Sequence, residues 1–367
     1  MLKGKTIAVV VPAYNEENQI GRVIETMPDY VDRIVIVNDC SSDKTASIVE
    51  KYLESDFNDT SIMIKNILNN VKKDTYNYAD YIVQEETKKE MKYFKPSKVI
   101  NRNLEDDRII LINQEKNYGV GRAIARGYKW CKDYGIDCTA VMAGDGQMDP
   151  AELESICKPV IEEKIDYVKG NRLIHRSSWL VIPKLRYLGN SILSILTKLA
   201  SGYWHVSDTQ TGYTAISKKG LNSIKLYDIY KSYGCPNDIL VKLNIAFCSL
   251  REVEIKPVYN IGEKSKMRIF KIIPKIIWLL FKSFFKRLWV KYLFRDFHPL
   301  FILYHISFLL ILFCIPFGIK IMRLAINGLP ANPVTVLAFV FLFISGFQSL
   351  LFAMWMDIQD NDRLYKG

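Results

Sequence analysis

Paired cysteines are missing from this chain. Its seven, at positions 40, 131, 138, 157, 235, 248 and 314, show no Cys-x-x-Cys spacing. That argues against a disulfide framework or a zinc site and for small buried thiols in a reducing compartment. A signal peptide is not expected either, because Met1-Leu2-Lys3-Gly4-Lys5 runs directly into the strand-like Thr6-Ile7-Ala8-Val9-Val10-Val11. No Gly-Lys-Ser/Thr follows the glycine-bearing turn Asn117-Tyr118-Gly119-Val120-Gly121, which excludes a Walker loop. Acidic residues are absent from 264–295, a segment holding ten Lys and Arg. It carries nearly all of the net charge of +11 and leaves the remainder close to neutral. Because it is also rich in Ile, Phe, Leu and Trp, it reads as a basic amphipathic stretch on an anionic membrane face, with no nucleic-acid partner expected.

Apolar length is what the sequence has in quantity. Residues 299–319 and 334–356 are 21 and 23 residues long without a charge, each enough to cross a bilayer. Two spans beside a basic segment predict an integral membrane protein with the bulk of the chain and both termini cytoplasmic. Lys320 and Arg323, between the spans, weaken that bias without reversing it. Within the basic segment Pro274 is expected to start a second interfacial helix, with Lys275, Lys282 and Lys286 on one face and Ile277, Leu280, Phe281 and Phe284 turned to lipid.

Strands and helices alternate ahead of it. An apolar run at 6–11 ends in Pro12-Ala13-Tyr14-Asn15-Glu16-Glu17, and a second at 33–37 ends in Asn38-Asp39-Cys40-Ser41-Ser42-Asp43. Each is followed by helical spacing, as in half of a nucleotide-binding α/β sheet. A strand at 109–113 leads into the glycine turn, whose N–H groups suit a diphosphate, although Gly-x-Gly also serves tight packing. The strand at 139–143 ends in Gly144-Asp145-Gly146-Gln147. A carboxylate and an amide oxygen on such a turn suit a hard cation that keeps positions open for phosphate oxygens. At the carboxyl end of a parallel strand, the turn sits where open α/β sheets bind ligands. The polar stretch 55–108 reads as an insertion without chemistry. Trimming 58–96 is expected to leave nucleotide binding intact, since closure entropy grows slowly with loop length.

In order, Pro12-Ala13-Tyr14-Asn15-Glu16-Glu17, Asn38-Asp39-Cys40-Ser41-Ser42-Asp43, Asn117-Tyr118-Gly119-Val120-Gly121 and Asp145-Gly146-Gln147 resemble the signatures of inverting family-two glycosyltransferases of the GT-A fold. Gly170-Asn171-Arg172, Arg186, Asp208-Thr209-Gln210-Thr211-Gly212-Tyr213 and the two spans resemble, more narrowly, the dolichyl- and undecaprenyl-phosphate sugar synthases. The resemblance implies an α/β, Rossmann-like nucleotide-sugar-binding domain at 1–262 and basic juxtamembrane helices at 263–297. Two transmembrane helices at 298–357 and a cytoplasmic tail at 358–367 would follow. It implies that Pro12, Tyr14, Glu16, Asp39, Asn117 and Gly119 line the nucleotide-sugar pocket, with Asp39 accepting a hydrogen bond from the base. Asp145 and Gln147 would hold Mg2+ or Mn2+ on the donor diphosphate. Arg172 and Arg186 would bind the acceptor phosphate, bordered by Asn190 and Asp208. Without the resemblance, either arginine also reads as a surface ion-pair partner. Two departures stand out: Ala143 lies where relatives often carry a carboxylate, and Asn260 or Ile261 lies where they often carry an Arg before the acceptor loop, with Lys264 and Lys266 as substitutes and Lys266 expected at the acceptor phosphate.

The expected activity is transfer of a hexose from a nucleoside-diphosphate sugar to polyprenyl phosphate with inversion, a UDP-sugar favoured and GDP-mannose open. The sugar, the polyprenol and a homo-oligomeric state stay open. Asp208 is expected to orient groups more than to take a proton, because a phosphate monoester with a second pKa of about 6 is already anionic at neutral pH. One alternative is a transferase acting on a sugar or lipid hydroxyl in cell-envelope polysaccharide or glycolipid synthesis. The lack of a Gln-x-x-Arg-Trp segment argues against a processive synthase of that kind. Another is a non-catalytic nucleotide-binding membrane subunit, which Asp145 and Gln147 argue against.

Overall fold

The computed structural model describes residues 1–58, 62–69, 73–74, 76–259 and 269–367, with backbone alone at 56, 69, 185, 186 and 269–272. The apolar runs form β1 (Ile7–Ala13), β2 (Arg33–Asn38), β4 (Ile109–Gln114) and β5 (Cys138–Val141). β3 (Ser97–Val99), β6 (Tyr167–Asn171), β7 (Thr214–Ser217) and β8 (Leu250–Glu254) complete one sheet in the order β3-β4-β2-β1-β5-β7-β6-β8. β4, β2, β1 and β5 are mutually parallel, β7 opposes both of its neighbours, and β8 is parallel to β6. Successive side chains of a strand point to opposite faces. Val10, Val35 and Ile112 therefore enter one core while Val9, Val11 and Ile36 enter the other. Burial on both faces explains why these strands read as unbroken apolar runs.

The helices are α1 (Ile20–Glu25), α2 (Thr45–Leu53), α3 (Tyr78–Lys89), α4 (Val120–Asp133), α5 (Leu153–Glu162) and α6 (Ser178–Val181). Then come α7 (Lys184–Ser201), α8 (Lys218–Ser223), α9 (Cys235–Ile245), α10 (Ile269–Trp289), α11 (Pro299–Ile326) and α12 (Pro333–Asp362). α11 and α12, 28 and 30 residues long and largely unburied, are long and apolar enough to cross a membrane. They pack against each other, with Ser307 Oγ donating to Gly346 O at 2.9 Å.

Three sequence expectations change here. α10 is one helix with Pro274 inside it, followed by a π-helical turn at Val290–Arg295. Its Leu280 is buried with Ile276 against Ala200 of α7 and Val241 of α9, and Phe284 packs inward too, so Ile277 and Phe281 face outward without them. Residues 358–367 do not simply trail. Leu250 N donates to Leu364 O and Lys366 N to Leu250 O, at 2.7 and 2.8 Å, adding a short parallel bridge beside β8. A buried pair holds that end of α12: Arg287 of α10 grips Asp357 through two hydrogen bonds of 2.7 and 2.8 Å.

The stretch 55–108 is integral to the fold. It supplies β3, and Thr87 O of α3 accepts from the fully buried Lys129 Nζ of α4 at 2.9 Å. Glu90 pairs with Lys132 at 3.0 Å, and Arg33 Nη2 donates to Ile62 O at 2.8 Å. Removing one partner of a buried charge typically costs about 3–5 kcal/mol. Trimming residues 58–96 is therefore expected to destabilise the whole sheet, contrary to the insertion expectation. Wild-type thermal stability in the trimmed, detergent-solubilised protein would restore the insertion.

Candidate active site

Sheet topology gathers the motifs. β1, β2, β4, β5, β6 and β8 share a direction and β7 opposes it, so the carboxyl ends of six strands and the amino end of β7 lie along one edge. Pro12 and Tyr14, Asp39, the turn at Asp145, Arg172 and the loop holding Asp208 all emerge there.

At the β1 and β2 ends, Asn15 and Cys40 adopt left-handed backbone with φ of 54° and 58°, which costs a non-glycine residue about 1–2 kcal/mol. Cross-links between the two loops hold it. Ser42 N donates to Asn15 Oδ1 at 2.8 Å, Asn15 N to Ser41 Oγ at 3.0 Å, and Glu16 N to Thr45 Oγ1 at 2.8 Å. Tyr14 is exposed at the rim, while Pro12 and Glu16 are half-buried.

Asp39 is buried and accepts the N–H of Tyr118 at 2.7 Å and of Gly119 at 2.8 Å. Burial pushes its carboxyl up, and these two hydrogen bonds pull it partly back. The residue thus ties the loop after β2 to the glycine turn, and contact with a base would use the second lone pairs of its oxygens. Gly121 N donates to Lys231 O at 3.1 Å. A Cβ at Gly119, whose φ is 92°, would lie 2.4 Å from Lys231 O, and one at Gly121 would lie 1.9 Å from Tyr230 O. Close passage of the 230–231 backbone demands both glycines. The expected diphosphate cradle is corrected accordingly, since the N–H groups of Tyr118, Gly119 and Gly121 are engaged inside the protein. Asn117 is exposed at the outer end of that turn.

The turn after β5 follows β1 outward, with Met142 N donating to Val10 O at 3.1 Å and Gly144 N to Pro12 O at 3.2 Å. This sets Asp145 beside the end of β1. Asp145 Oδ1 accepts from Gln147 N at 3.0 Å across Gly146, whose φ is 72°. Among the described residues no three His, Cys, Asp or Glu side chains cluster as a metal site. A carboxylate, an amide oxygen and incoming diphosphate oxygens form an all-oxygen set. That set fits Mg2+ or Mn2+ bound together with substrate.

A second centre lies where β6 ends and β7 begins. Arg172 Nε and Nη2 donate to Asp208 Oδ2 and Oδ1 at 2.8 and 3.1 Å, and Asp208 is fully buried. Burial alone would raise the Asp208 carboxyl, but the Arg172 guanidinium more than offsets it and holds the group below the ordinary range. Gln210 N and Thr211 N also donate to Asp208, both at 3.2 Å. Arg172, expected at the acceptor phosphate, has two of its nitrogens engaged by Asp208. Two charged residues were missed from sequence. Glu252 accepts from Ser207 N and Asp208 N at 3.0 Å, and the fully buried Lys169 Nζ donates to Thr211 O. A lysine inside the otherwise apolar run Tyr167-Val168-Lys169-Gly170 was the available signal.

Burial pushes Lys169 down to about 8, with Asp208 and Glu252 pulling it back up. The unfolded chain keeps that proton to about pH 10.4. Across this window the unfolded state binds more protons, so Lys169 makes stability rise with pH, by at most about 1.4 kcal/mol per unit. The stability difference between wild type and Lys169→Met should therefore shift in favour of wild type from pH 8 to about pH 10 in denaturant titrations. A flat difference would mean that the buried amine stays charged.

α7 borders this centre. Ser194 Oγ lies 3.1 Å from Thr209 Oγ1. Asn190 and Arg186 sit one and two helical turns earlier on the same face. The Arg186 side chain, and Lys264 and Lys266 entirely, lie outside the described residues.

The family model described as Glycosyl transferase family 2 matches residues 8–79 and 84–224, running through most of 55–108. The Methanococcus voltae UDP-N-acetylglucosamine--dolichyl-phosphate N-acetylglucosaminyltransferase is 27% identical over 257 residues, 70% of this chain and 87% of its own length. A Trichomonas vaginalis dolichyl-phosphate beta-glucosyltransferase is 24% identical over 301 residues, 77% of this chain and 74% of its own. Among solved structures, Mycobacterium tuberculosis glucosyl-3-phosphoglycerate synthase, in complex with Mn2+, UDP and glucosyl-3-phosphoglycerate, aligns with a TM-score of 0.46. The identity is 16%, over 77% of this chain and 80% of that one.

Proposed function

The chain belongs to glycosyl transferase family 2, and we propose that it transfers a hexose from a nucleoside-diphosphate sugar to the phosphate of a polyprenyl lipid, dolichyl or undecaprenyl, with inversion. A UDP-sugar is the favoured donor, ahead of GDP-mannose. The observation that carries this is α7, whose Ser194 meets Thr209 of the Asp208 loop and which packs on α10, just before the candidate spans. Two relatives named for transfer to dolichyl phosphate support it.

The chemistry asks little proton transfer of the protein. A phosphate monoester, with a second pKa of about 6, arrives as an anion. Asp208, ionised and enclosed, holds Arg172 and the 207–211 loop in place and takes no proton. Asp208 pairs with Arg172, and Arg186 would add a second guanidinium for the acceptor phosphate. Asp145 and Gln147 would hold Mg2+ or Mn2+, which neutralises charge on the departing nucleoside diphosphate. What remains is alignment of the phosphate with the anomeric carbon. α11 and α12 cross the bilayer, α10 lies on its cytoplasmic face, and both termini are cytoplasmic.

The deciding experiment offers the purified protein labelled UDP-glucose, UDP-N-acetylglucosamine or GDP-mannose with polyprenyl phosphate, with and without EDTA. Product whose sugar sits on the lipid phosphate, lost with EDTA, is expected; transfer only to a hydroxyl would overturn the proposal. Arg186→Ala is expected to weaken acceptor use by about ten- to a hundredfold, the loss of a charge-assisted bond worth roughly 1.5–3 kcal/mol. Donor affinity by calorimetry should not move, and Arg186→Lys should recover only part. Equal losses for donor and acceptor would mean that Arg186 is structural.

A further inference from the structure

We propose that α12 carries a self-association surface, on which the side-chain amide of Gln348 pairs with the Gln348 amide of a second copy of this chain inside the bilayer. It rests on reading α11 and α12 as spans and is independent of which sugar or acceptor is used. His305 and Gln348 are the most polar residues of the two charge-free runs. His305 is satisfied within the chain: Nδ1 donates to Phe301 O at 2.7 Å, and the ring packs against Phe301 and Trp289. Gln348 is exposed and has no hydrogen-bond partner among the described residues. At about 1.5 Å of rise per residue it lies about 10 Å from Trp355 and about 20 Å from Val334, inside a hydrocarbon core of about 30 Å. Water does not reach that depth, so an unpaired amide is costly there.

The surroundings of Gln348 select a second copy as its partner. Gly346 and Ala353 turn towards α11, where Gly346 O accepts from Ser307 Oγ and Ala353 packs with Leu300 and Tyr304. Gln348 faces away from that contact. Val334, Leu337, Phe341, Ile344, Leu351 and Trp355 share its outer face and are 49–72% exposed. With Gln348 between Ile344 and Leu351, the spacing alternates strictly between three and four residues, the seam of a left-handed helix pair. Lipid can cover the six apolar members, but its chains offer nothing to an amide. An amide holds both donor and acceptor and so complements itself: Nε2 of each copy donates to Oε1 of the other. Two copies of one chain share an orientation in the membrane, and a two-fold axis along its normal sets Gln348 opposite Gln348 at one depth. A cleft of about 380 Å³ beside Gln348, lined by Ser345, Ser349, Phe352 and Leu303 of α11, leaves room for a side chain of the facing helix. One polar group in an apolar seam fixes register as well as adding attraction between the helices.

The test uses the full chain, dye-labelled at its amino terminus, in phosphatidylcholine–phosphatidylglycerol vesicles over a range of protein-to-lipid ratios. Photobleaching steps count the copies in each spot. Wild type is expected to pair reversibly, and Gln348→Leu to need a protein density on the order of tenfold higher. Gln348→Asn, which keeps an amide, should pair nearly as wild type does. Equal pairing by wild type and Gln348→Leu would overturn the proposal. A wild type that stays single at every density would also overturn it and leave the amide to a different membrane protein. Alkaline carbonate separates that result from failure of the span reading, because chain washed off the vesicles was never inserted, and spans and pair then fall together. In a second arm, Cys40→Ser removes the exposed cysteine. On that background Phe341→Cys, on the seam, should form a disulfide-linked dimer under a mild oxidant. Phe343→Cys, exposed but off the seam, should not. Cross-linking of both alike would overturn the seam.

Discussion

Asp145→Asn is expected to abolish sugar transfer in a protein that stays folded. The half-buried turn keeps its shape, because an asparagine Oδ1 can still accept the Gln147 N–H that Asp145 Oδ1 accepts at 3.0 Å. What disappears is the anionic charge of the turn. Ala143 supplies no second carboxylate, and the glycine turn directs three of its N–H groups inward to Asp39 and Lys231. Charge building up on the leaving diphosphate therefore has little other compensation at this edge of the sheet. Loss of an anionic ligand to a divalent ion should cost at least about 4 kcal/mol in the transition state, or roughly a thousandfold in kcat. Single-turnover rates beside thermal unfolding of the same sample check this. Turnover near wild type without added Mn2+ would place the metal elsewhere.

Asp208→Asn should have the largest effect on stability. It leaves Arg172 and the fully buried Lys169 without their shared carboxylate, and an uncompensated buried charge costs about 3–5 kcal/mol. A drop in Tm of roughly 10 °C follows for a domain of this size. Arg172→Met on top of Asp208→Asn should recover part of that loss, because a buried charge is then no longer left unmatched. The acid side carries the same sign. The carboxyl is held below its ordinary value in the folded state, so its contribution is present above the unfolded pKa and disappears as pH falls through the folded one. Kinetics separate positioning from proton transfer. A positioning Asp208 lowers acceptor kcat/KM with an unchanged pH–rate profile, whereas loss of the acidic limb in the variant would make it a general base.

Much of the site was legible in the sequence because its motifs follow strands. A strand buried on both faces must be an unbroken apolar run, so where each run stops marks the binding edge. Asp39, Asp145 and Arg172 could be placed there before any contact was known. What those side chains touch could not. Asp39 meets Tyr118 and Gly119 across about 80 residues of chain, and Arg172 meets Asp208 across 36. Glu252, on a strand that alternates polar and apolar residues, carried no local sign of its partners, the N–H groups of Ser207 and Asp208 that donate to it. The polar segment 55–108 misled for a related reason. Its helix α3 is mostly solvated, and its contribution is a carbonyl and a carboxylate offered to lysines of α4.

By itself, the sequence determined the strand order along the chain, the two long apolar helices, the basic segment before them and the residue types at the binding edge. These depend on local periodicity and on runs of charge, which a few neighbouring residues decide. Only the tertiary structure decided that Arg172 is matched by Asp208, that the glycine turn serves packing, that α10 buries Leu280, and that the carboxyl-terminal tail bridges to β8. A buried charge or N–H group takes whichever partner the folded chain brings within about 3 Å, and no local pattern in the sequence encodes which one that is.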